Sequence, residues 1–255
     1  MLFDSHAHYN DDRFKEDVDE LLGSMNDNNV GYIMNACSSI DEISYILELT
    51  NKYPFLFGSV GVHPHEVGGM CENDIDKLRE FSKNEKILAI GEIGLDYYYD
   101  NSPRDVQKKW FARQVDLARE LSFPVIIHDR DAHKDCIDIL KEHKVWECGG
   151  VFHCFSGSSE MAKEVLDMGM YIAFGGSLTF KKAQKPVEAA SVVPLDKILI
   201  ETDCPYLTPE PYRGKRNDSS YIHLVAEKLS QIKNVSVSEI ENATFENAKR
   251  LFGIK

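Results

Sequence analysis

The sequence predicts an α/β fold, and within that class a (β/α)8 TIM barrel. Eight short apolar runs alternate with longer amphipathic stretches, a pattern typical of parallel strands joined by helical crossovers. Dividing the 255 residues by eight gives about 32 per unit, the size of one βα repeat. No linker or charge block divides the chain, so we expect residues 1–255 to form one domain.

Each predicted strand is a short run rich in apolar and β-branched side chains. The eight runs are Leu2–His6, Tyr32–Ala36, Leu56–Val62, Ile87–Ile93, Pro124–His128, Gly150–Cys154, Tyr171–Phe174 and Ile198–Thr202. An open doubly wound sheet is the alternative arrangement. The absence of a G-x-G-x-x-G turn argues against it, as do polar residues at the ends of many strands instead of one crevice.

The helices are predicted from apolar residues at helical spacing. The clearest is Pro103–Leu121, where Val106, Trp110 and Leu117 fall on one face. The others are Asn73–Asn84, Lys134–His143, Ser159–Asp167, Ser220–Ile232 and Val237–Phe252. Asn234 and Ser236 separate the last two, and Ser238 with Glu241 resembles a capping box for the final helix.

Composition excludes some classes of protein. The formal net charge of −13 argues against broad adhesion to nucleic acid, although cations bound at a phosphoesterase site would change the local field. No apolar run approaches the length of a membrane span, and no basic leader precedes the first strand. Six scattered cysteines without a C-x-x-C suggest free thiols, so we expect a cytoplasmic protein.

Polar side chains follow most of the predicted strands, where a barrel places its active site. Residues at i and i+2 of an extended segment share a face, so two histidines of the first strand can converge on one ion. Six of the nine histidines and three acidic residues fall on this one rim: His6, His8, His63, His65, His128 and His153, with Glu92, Asp96 and Asp203.

These motifs resemble those of the TatD-like metal-dependent deoxyribonucleases, a branch of the amidohydrolase-type barrels. The resemblance covers the whole chain and depends on DSHAH at 4–8, GVHPH at 61–65, GEIGLD at 91–96, HDRDA at 128–132, HCFSG at 153–157, ETDCPYL at 201–207 and PYRGKRN at 211–217. Ser219 stands where the family usually has proline. Glu92 stands where related amidohydrolases often have a carboxylated lysine, which favours the TatD branch over a hydrolase of small amides.

The resemblance implies a centre of two divalent metal ions. His6, His8 and Asp203 would hold one ion, His128 and His153 the other, and Glu92 would bridge both, since a carboxylate has two oxygens. Asp203 would also orient the attacking water and accept its proton. Mixed nitrogen and oxygen ligands fit Zn or Mn, while Mg prefers oxygen, so the ion is left open among Mg, Mn and Zn.

The resemblance also implies residues that bind the substrate. His63 and His65 would contact its phosphate, and Arg130 and Arg213 would add charge-assisted hydrogen bonds. Glu201 would either point away from the site or orient a metal-binding histidine. We interpret the Tyr97–Tyr99 run as loop packing in preference to a base-stacking surface, and His133, His143 and His223 as surface or packing residues.

The function implied is a DNA exonuclease that acts on single strands or frayed ends, as a monomer and without a membrane. Two alternatives stay open at this point. One is hydrolysis of a small ester, lactone or amide by the same metals. The other is a protein that holds metal and binds a partner without turnover.

Overall fold

The computed structural model describes all 255 residues, and its eight strands form one parallel sheet in which each strand pairs with the next. The strands are β1 Leu2–Ala7, β2 Val30–Asn35, β3 Leu56–Val60, β4 Ile87–Asp96, β5 Val125–Arg130, β6 Gly150–Phe152, β7 Tyr171–Phe174 and β8 Ile198–Ile200. A parallel bridge from Ala7 to Cys204 and a 2.9 Å hydrogen bond from the Asp203 amide to the His6 carbonyl join β1 to the segment after β8. The sheet is therefore nearly closed, and the predicted TIM barrel is confirmed.

Nine helices connect the strands and complete the chain: α1 Val18–Gly23, α2 Ile43–Lys52, α3 Glu72–Phe81, α4 Arg104–Leu121, α5 His133–Glu142, α6 Ser159–Asp167, α7 Gln184–Val192, α8 Ile222–Lys233 and α9 Val237–Phe252. Six of them confirm predicted helices to within a few residues. Helices α1, α2 and α7 were not predicted. Helix α1 has only six residues, and α7 has Pro186 in its first turn, where a missing amide hydrogen is tolerated.

The start of α9 differs from the prediction. Ser236, not Ser238, is the N-cap, and its hydroxyl accepts a 3.2 Å hydrogen bond from the Glu239 amide. Ser238 lies inside the first turn, so its predicted pairing with Glu241 as a capping box is wrong. Asn234 ends α8 in the left-handed conformation, with φ of 55°, which asparagine tolerates well.

Strand β4 runs three residues beyond its predicted end, because Gly94, Leu95 and Asp96 continue the ladder with β5. Gly94 makes this approach possible: a Cβ atom built there would lie 1.9 Å from the His128 carbonyl oxygen. Strands β6 and β8 end earlier than predicted, which leaves His153 and Asp203 in the loops that follow them.

The apolar core supports the site from below. Ile126 and Val151 precede His128 and His153 by two residues and share their face of the sheet. They belong to a buried cluster that includes Leu199 of β8. A larger cluster of 56 buried residues fills the space between the strands and the helices. The polar side chains at the strand ends therefore project from a close-packed scaffold.

Candidate metal centre

The predicted metal ligands converge at the carboxyl ends of the strands. His6 projects from β1, Glu92 from β4 and His128 from β5, whereas His8, His153 and Asp203 follow β1, β6 and β8. All except His128 and Asp203 are buried, and those two are half-buried. Except for His6, which lies beneath it, they line a cavity of about 680 Å³. Six ligand-type side chains from five strand ends thus meet in one place.

The carboxylate of Glu92 lies at the middle of the cluster. Its Oε2 is 3.2 Å from Nε2 of His6 and 3.5 Å from Nε2 of His8. Its Oε1 is 2.7 Å from Nδ1 of His128 and 2.8 Å from Nε2 of His153. The two oxygens of one carboxylate therefore face two different pairs of histidines.

One half of the cluster consists of His6, His8 and Asp203, whose donor atoms lie close enough to hold one ion. The two Nε2 atoms are 3.0 Å apart, and Oδ1 of Asp203 is 3.5 Å from that of His8 and 3.9 Å from that of His6. Asp203 adopts φ of 55°, in the left-handed region that aspartate tolerates better than most residues. Its amide hydrogen bond to His6 fixes the loop in that conformation.

The other half contains His128 and His153, with His63 beside them. Nε2 of His63 is 3.5 Å from Oε1 of Glu92, the same distance that separates His8 from the other oxygen. His63, Glu92 and His128 also lie close enough to hold an ion together. The sequence motifs predict that His63 contacts the substrate. The geometry brings it to the edge of the metal ligands as well.

Two acidic residues flank these histidines from outside. Oδ2 of Asp96 lies 3.1 Å from Nε2 of His128 and 2.9 Å from Nε2 of His65, and its Oδ1 accepts hydrogen bonds from two backbone amides. Oε1 of Glu201 lies 3.5 Å from Nδ1 of His153 and accepts a hydrogen bond from the Cys154 amide. Glu201 therefore lies beside His153, but Nδ1 of His153 has no hydrogen-bond partner. Asp96 received no role from the sequence, although it ends the GEIGLD motif.

Burial and mutual charge determine the protonation of the cluster. Burial lowers the pKa of His63 to about 4, so its imidazole is neutral at pH 7. Burial opposes ionisation of Glu92, but the surrounding histidines, led by His153, together outweigh it and hold the pKa of Glu92 well below its usual range. Burial likewise opposes ionisation of Asp203, but the hydrogen bond from His8 together with the charges of the nearby histidines outweighs it and lowers the pKa of Asp203. Both carboxylates are therefore anionic at neutral pH.

The histidines that face these carboxylates show the opposite effect. Burial disfavours the charged form of His8, yet the hydrogen bond to Asp203 and the charges of Glu92 and Asp203 together outweigh it and raise the pKa of His8. Burial also disfavours the charged form of His153, but the neighbouring carboxylates of Glu92 and Glu201 together raise its pKa well above its usual value. Two buried anions thus attract compensating positive charge, which protons or divalent ions can supply. The donor set and its electrostatics fit metal ions.

The residues expected to bind the substrate do not all lie in the metal cavity. His65 pairs with Asp96 at the rim of the cavity. The guanidinium of Arg130 lies over the rings of Tyr98 and Tyr99, 4.2 Å and 4.8 Å from their centroids. Arg213 does not reach the cavity: it lies 4.1 Å from the Phe180 ring centroid in a neighbouring groove.

Within the Tyr97–Tyr99 segment, one tyrosine is packed and the other two are exposed. Tyr97 donates a hydrogen bond to Asp135, whereas Tyr98 and Tyr99 leave more than half of their surface exposed.

The three histidines assigned to no site have partners of their own. His133 and His143 pair with aspartates, and His223 with a backbone carbonyl. None of the helices has the length and apolarity that crossing a membrane requires.

Comparison with known proteins agrees with this geometry. The model of the family described as TatD related DNase matches residues 3–253. The chain is 45% identical to the uncharacterized metal-dependent hydrolase YabD of Bacillus subtilis, over all of both sequences. It is 28% identical to the 3'-5' ssDNA/RNA exonuclease TatD of Cronobacter sakazakii, over 98% of this chain and 97% of that one.

A solved structure shares the architecture closely. The crystal structure of YJJV, a TatD homolog from Escherichia coli, superposes with a TM-score of 0.93 at 28% identity and covers 100% of this chain and 98% of that one. The match to the family spans nearly the whole chain, and the clusters of histidine and carboxylate groups are compatible with metal binding. The chain therefore belongs to the TatD-related DNase family of metal-dependent hydrolases.

Proposed function

We propose that the protein is a metal-dependent deoxyribonuclease that removes nucleotides from single-stranded or frayed DNA ends at a centre of two divalent ions. The observation that carries the proposal is the position of Glu92, whose two oxygens face different histidine pairs. Family membership and the relative named as a 3'-5' ssDNA/RNA exonuclease support a nucleic acid substrate.

The residues that would hold the ions follow from the two halves of the cluster. His6, His8 and Asp203 would hold one ion, His128 and His153 the other, and Glu92 would contact both. Mg, Mn and Zn are the candidates. Two divalent ions, when bound, stabilise negative charge on phosphate oxygens and lower the pKa of water toward 7.

The chain itself supplies a base and groups that bind phosphate. Asp203 is anionic at neutral pH and faces the cavity, so it orients the attacking water and accepts its proton. His63 and His65, which line the cavity, contact the phosphate. Arg130, held over two tyrosine rings at the rim, adds a charged donor to the phosphate.

The free state of all six cysteines supports a reducing compartment, and we place the activity in the cytoplasm. The metal ligands all come from a single chain, which is consistent with a protein that works as a monomer. The proposal does not require a membrane or a second subunit.

A timed digestion of end-labelled single-stranded DNA tests the function. Metal-stripped protein is supplied in turn with Mg, Mn or Zn, and Asp203→Asn serves as the control. We expect stepwise shortening from one end that requires metal and is lost in the control. Folded, metal-loaded protein that leaves DNA intact and instead hydrolyses a small ester, lactone or amide would refute the nuclease proposal. Metal and DNA binding without turnover of any substrate would indicate a non-catalytic role.

A further inference from the structure

A second groove adjoins the metal cavity and has a different charge. It has a volume of about 970 Å³ and shares His128, His153 and Asp203 with the cavity. Five cationic side chains line it, and we call it the basic groove: Arg130 at its inner end, then Lys181, Lys182, Lys185 and Arg213. The cavity and the groove therefore adjoin at these shared side chains.

The cations of the basic groove are free to bind an anion. No carboxylate lies within ion-pair distance of any of the five, although the chain as a whole carries a formal charge of −13. Lys181, Lys182 and Lys185 are exposed, and Lys185 lies in the first turn of α7, where the helix dipole adds positive potential. Of the carboxylates that line the groove, Asp129 is paired with His133 and Asp203 belongs to the metal cluster. The third carboxylate that lines the groove is Glu210.

The opposite side of the metal cavity has the reverse charge. Glu42 and Glu66 line it, together with Asp11, which is paired with Arg13, and the cavity's one arginine, Arg130, lies on the side that it shares with the basic groove. Glu42 and Glu66 lie near enough for the charge of Glu66 to add to the effect of burial in raising the pKa of Glu42. A strand of phosphates is attracted on one side of the metals and repelled on the other.

We propose that the basic groove binds the phosphate backbone of the strand that continues from the scissile bond, and that the acidic side admits only the terminal nucleotide. This inference depends on the proposed nuclease function. It gives a physical reason for action at ends, because a strand that ran through the site would have to place its next phosphates against Glu42 and Glu66. It also gives Arg213 a role at a distance from the metals.

The test separates strand binding from chemistry. The variant Lys181→Ala/Lys182→Ala/Lys185→Ala is compared with Lys77→Ala/Lys83→Ala/Lys109→Ala, which removes the same charge at exposed lysines outside the groove. Binding of a fluorescent 20-mer of single-stranded DNA is measured by anisotropy in chelator at several salt concentrations. Hydrolysis of the 20-mer and of bis(p-nitrophenyl) phosphate, a phosphodiester too short to reach the groove, is measured with metal added.

We expect the groove variant to bind the 20-mer at least tenfold more weakly. Each lost phosphate contact lowers the slope of log Kd against log salt concentration by about 0.7, so the loss of three contacts should lower it by about 2. KM for the 20-mer should rise, while hydrolysis of the small phosphodiester and the behaviour of the control variant stay unchanged. Equal 20-mer binding by the two triple variants would overturn the groove assignment even if DNA is cleaved. If only the groove variant binds the 20-mer more weakly and the wild type cleaves no DNA, the result supports DNA binding by the groove and refutes the nuclease function.

Discussion

Replacing Glu92 by glutamine should disable the metal centre while leaving the barrel folded. Glutamine has nearly the same shape, so the change removes one negative charge and turns one oxygen into an N–H donor. That donor would face either His128 and His153, 2.7 Å and 2.8 Å from Oε1, or His6 and His8, 3.2 Å and 3.5 Å from Oε2. Both pairs of histidines lose their anionic partner, and in either orientation one pair also faces a donor where it had an acceptor.

The magnitude follows from the charge removed. Two unit charges 4 Å apart interact by about 4 kcal/mol at an effective dielectric constant of 20, and a divalent ion beside a carboxylate is at least as strongly affected. Allowing for relaxation and water, we expect a loss of at least 100-fold in metal affinity. The stabilisation that saturating metal gives the fold then falls by about 2.7 kcal/mol. For a chain of this size that corresponds to about 5–10 °C in Tm.

The assay combines metal content after dialysis with thermal unfolding in the presence and absence of metal, and with the digestion of labelled DNA. Glu85→Gln is the matched control, because Glu85 is exposed and precedes the same strand at the opposite end of the barrel. We expect Glu92→Gln to be folded in chelator, to gain little Tm from metal and to lose at least 1,000-fold in turnover. Normal metal content together with full activity in this variant would refute the bridging role of Glu92.

Three further substitutions test other parts of the account. His63→Ala should raise KM for DNA more than it reduces metal content, and a loss of metal instead would make His63 a ligand. Asp96→Asn removes the carboxylate that orients His128, so chelator competition should show metal affinity about 10–100-fold weaker, and unchanged affinity would contradict that role. The hydrogen bond to Asp129 raises the pKa of His133. The pair therefore stabilises the fold fully below about pH 6.5, the usual pKa of histidine, and this stabilisation is lost as the pH rises through the folded-state pKa. His133→Asn should therefore lower the free energy of unfolding by on the order of 0.5 kcal/mol at pH 5.5 and by less at pH 8.5, and a difference that does not depend on pH would contradict the assignment.

The barrel and its cluster of histidines were predictable because both depend on local patterns. Strand periodicity fixes which residues face inward, and the carboxyl ends of parallel strands meet at one rim, so His6, Glu92 and His128 had to be near one another. Distances within the cluster were not predictable. His63 reaches Glu92 because of the path of the loop after β3, and that path depends on long-range packing.

The residues that orient the histidines, and the basic groove, could not be predicted from the sequence for a similar reason. Asp96 acts on His128 because Gly94 lets β4 extend along β5, a pairing that the apolar pattern alone does not indicate. Lys181 and Lys182 follow β7 in a stretch with no regular periodicity, and Arg213 lies on a loop after β8. Nothing in their spacing indicates that the three share a groove.

Anomalous diffraction from crystals grown with Mn or Zn tests the central claim most directly. The account predicts two peaks about 3.5–4 Å apart, one beside His6 and His8, the other beside His128 and His153, with the carboxylate of Glu92 between them. A single peak at full occupancy in saturating metal, or two peaks that Glu92 does not bridge, would contradict it.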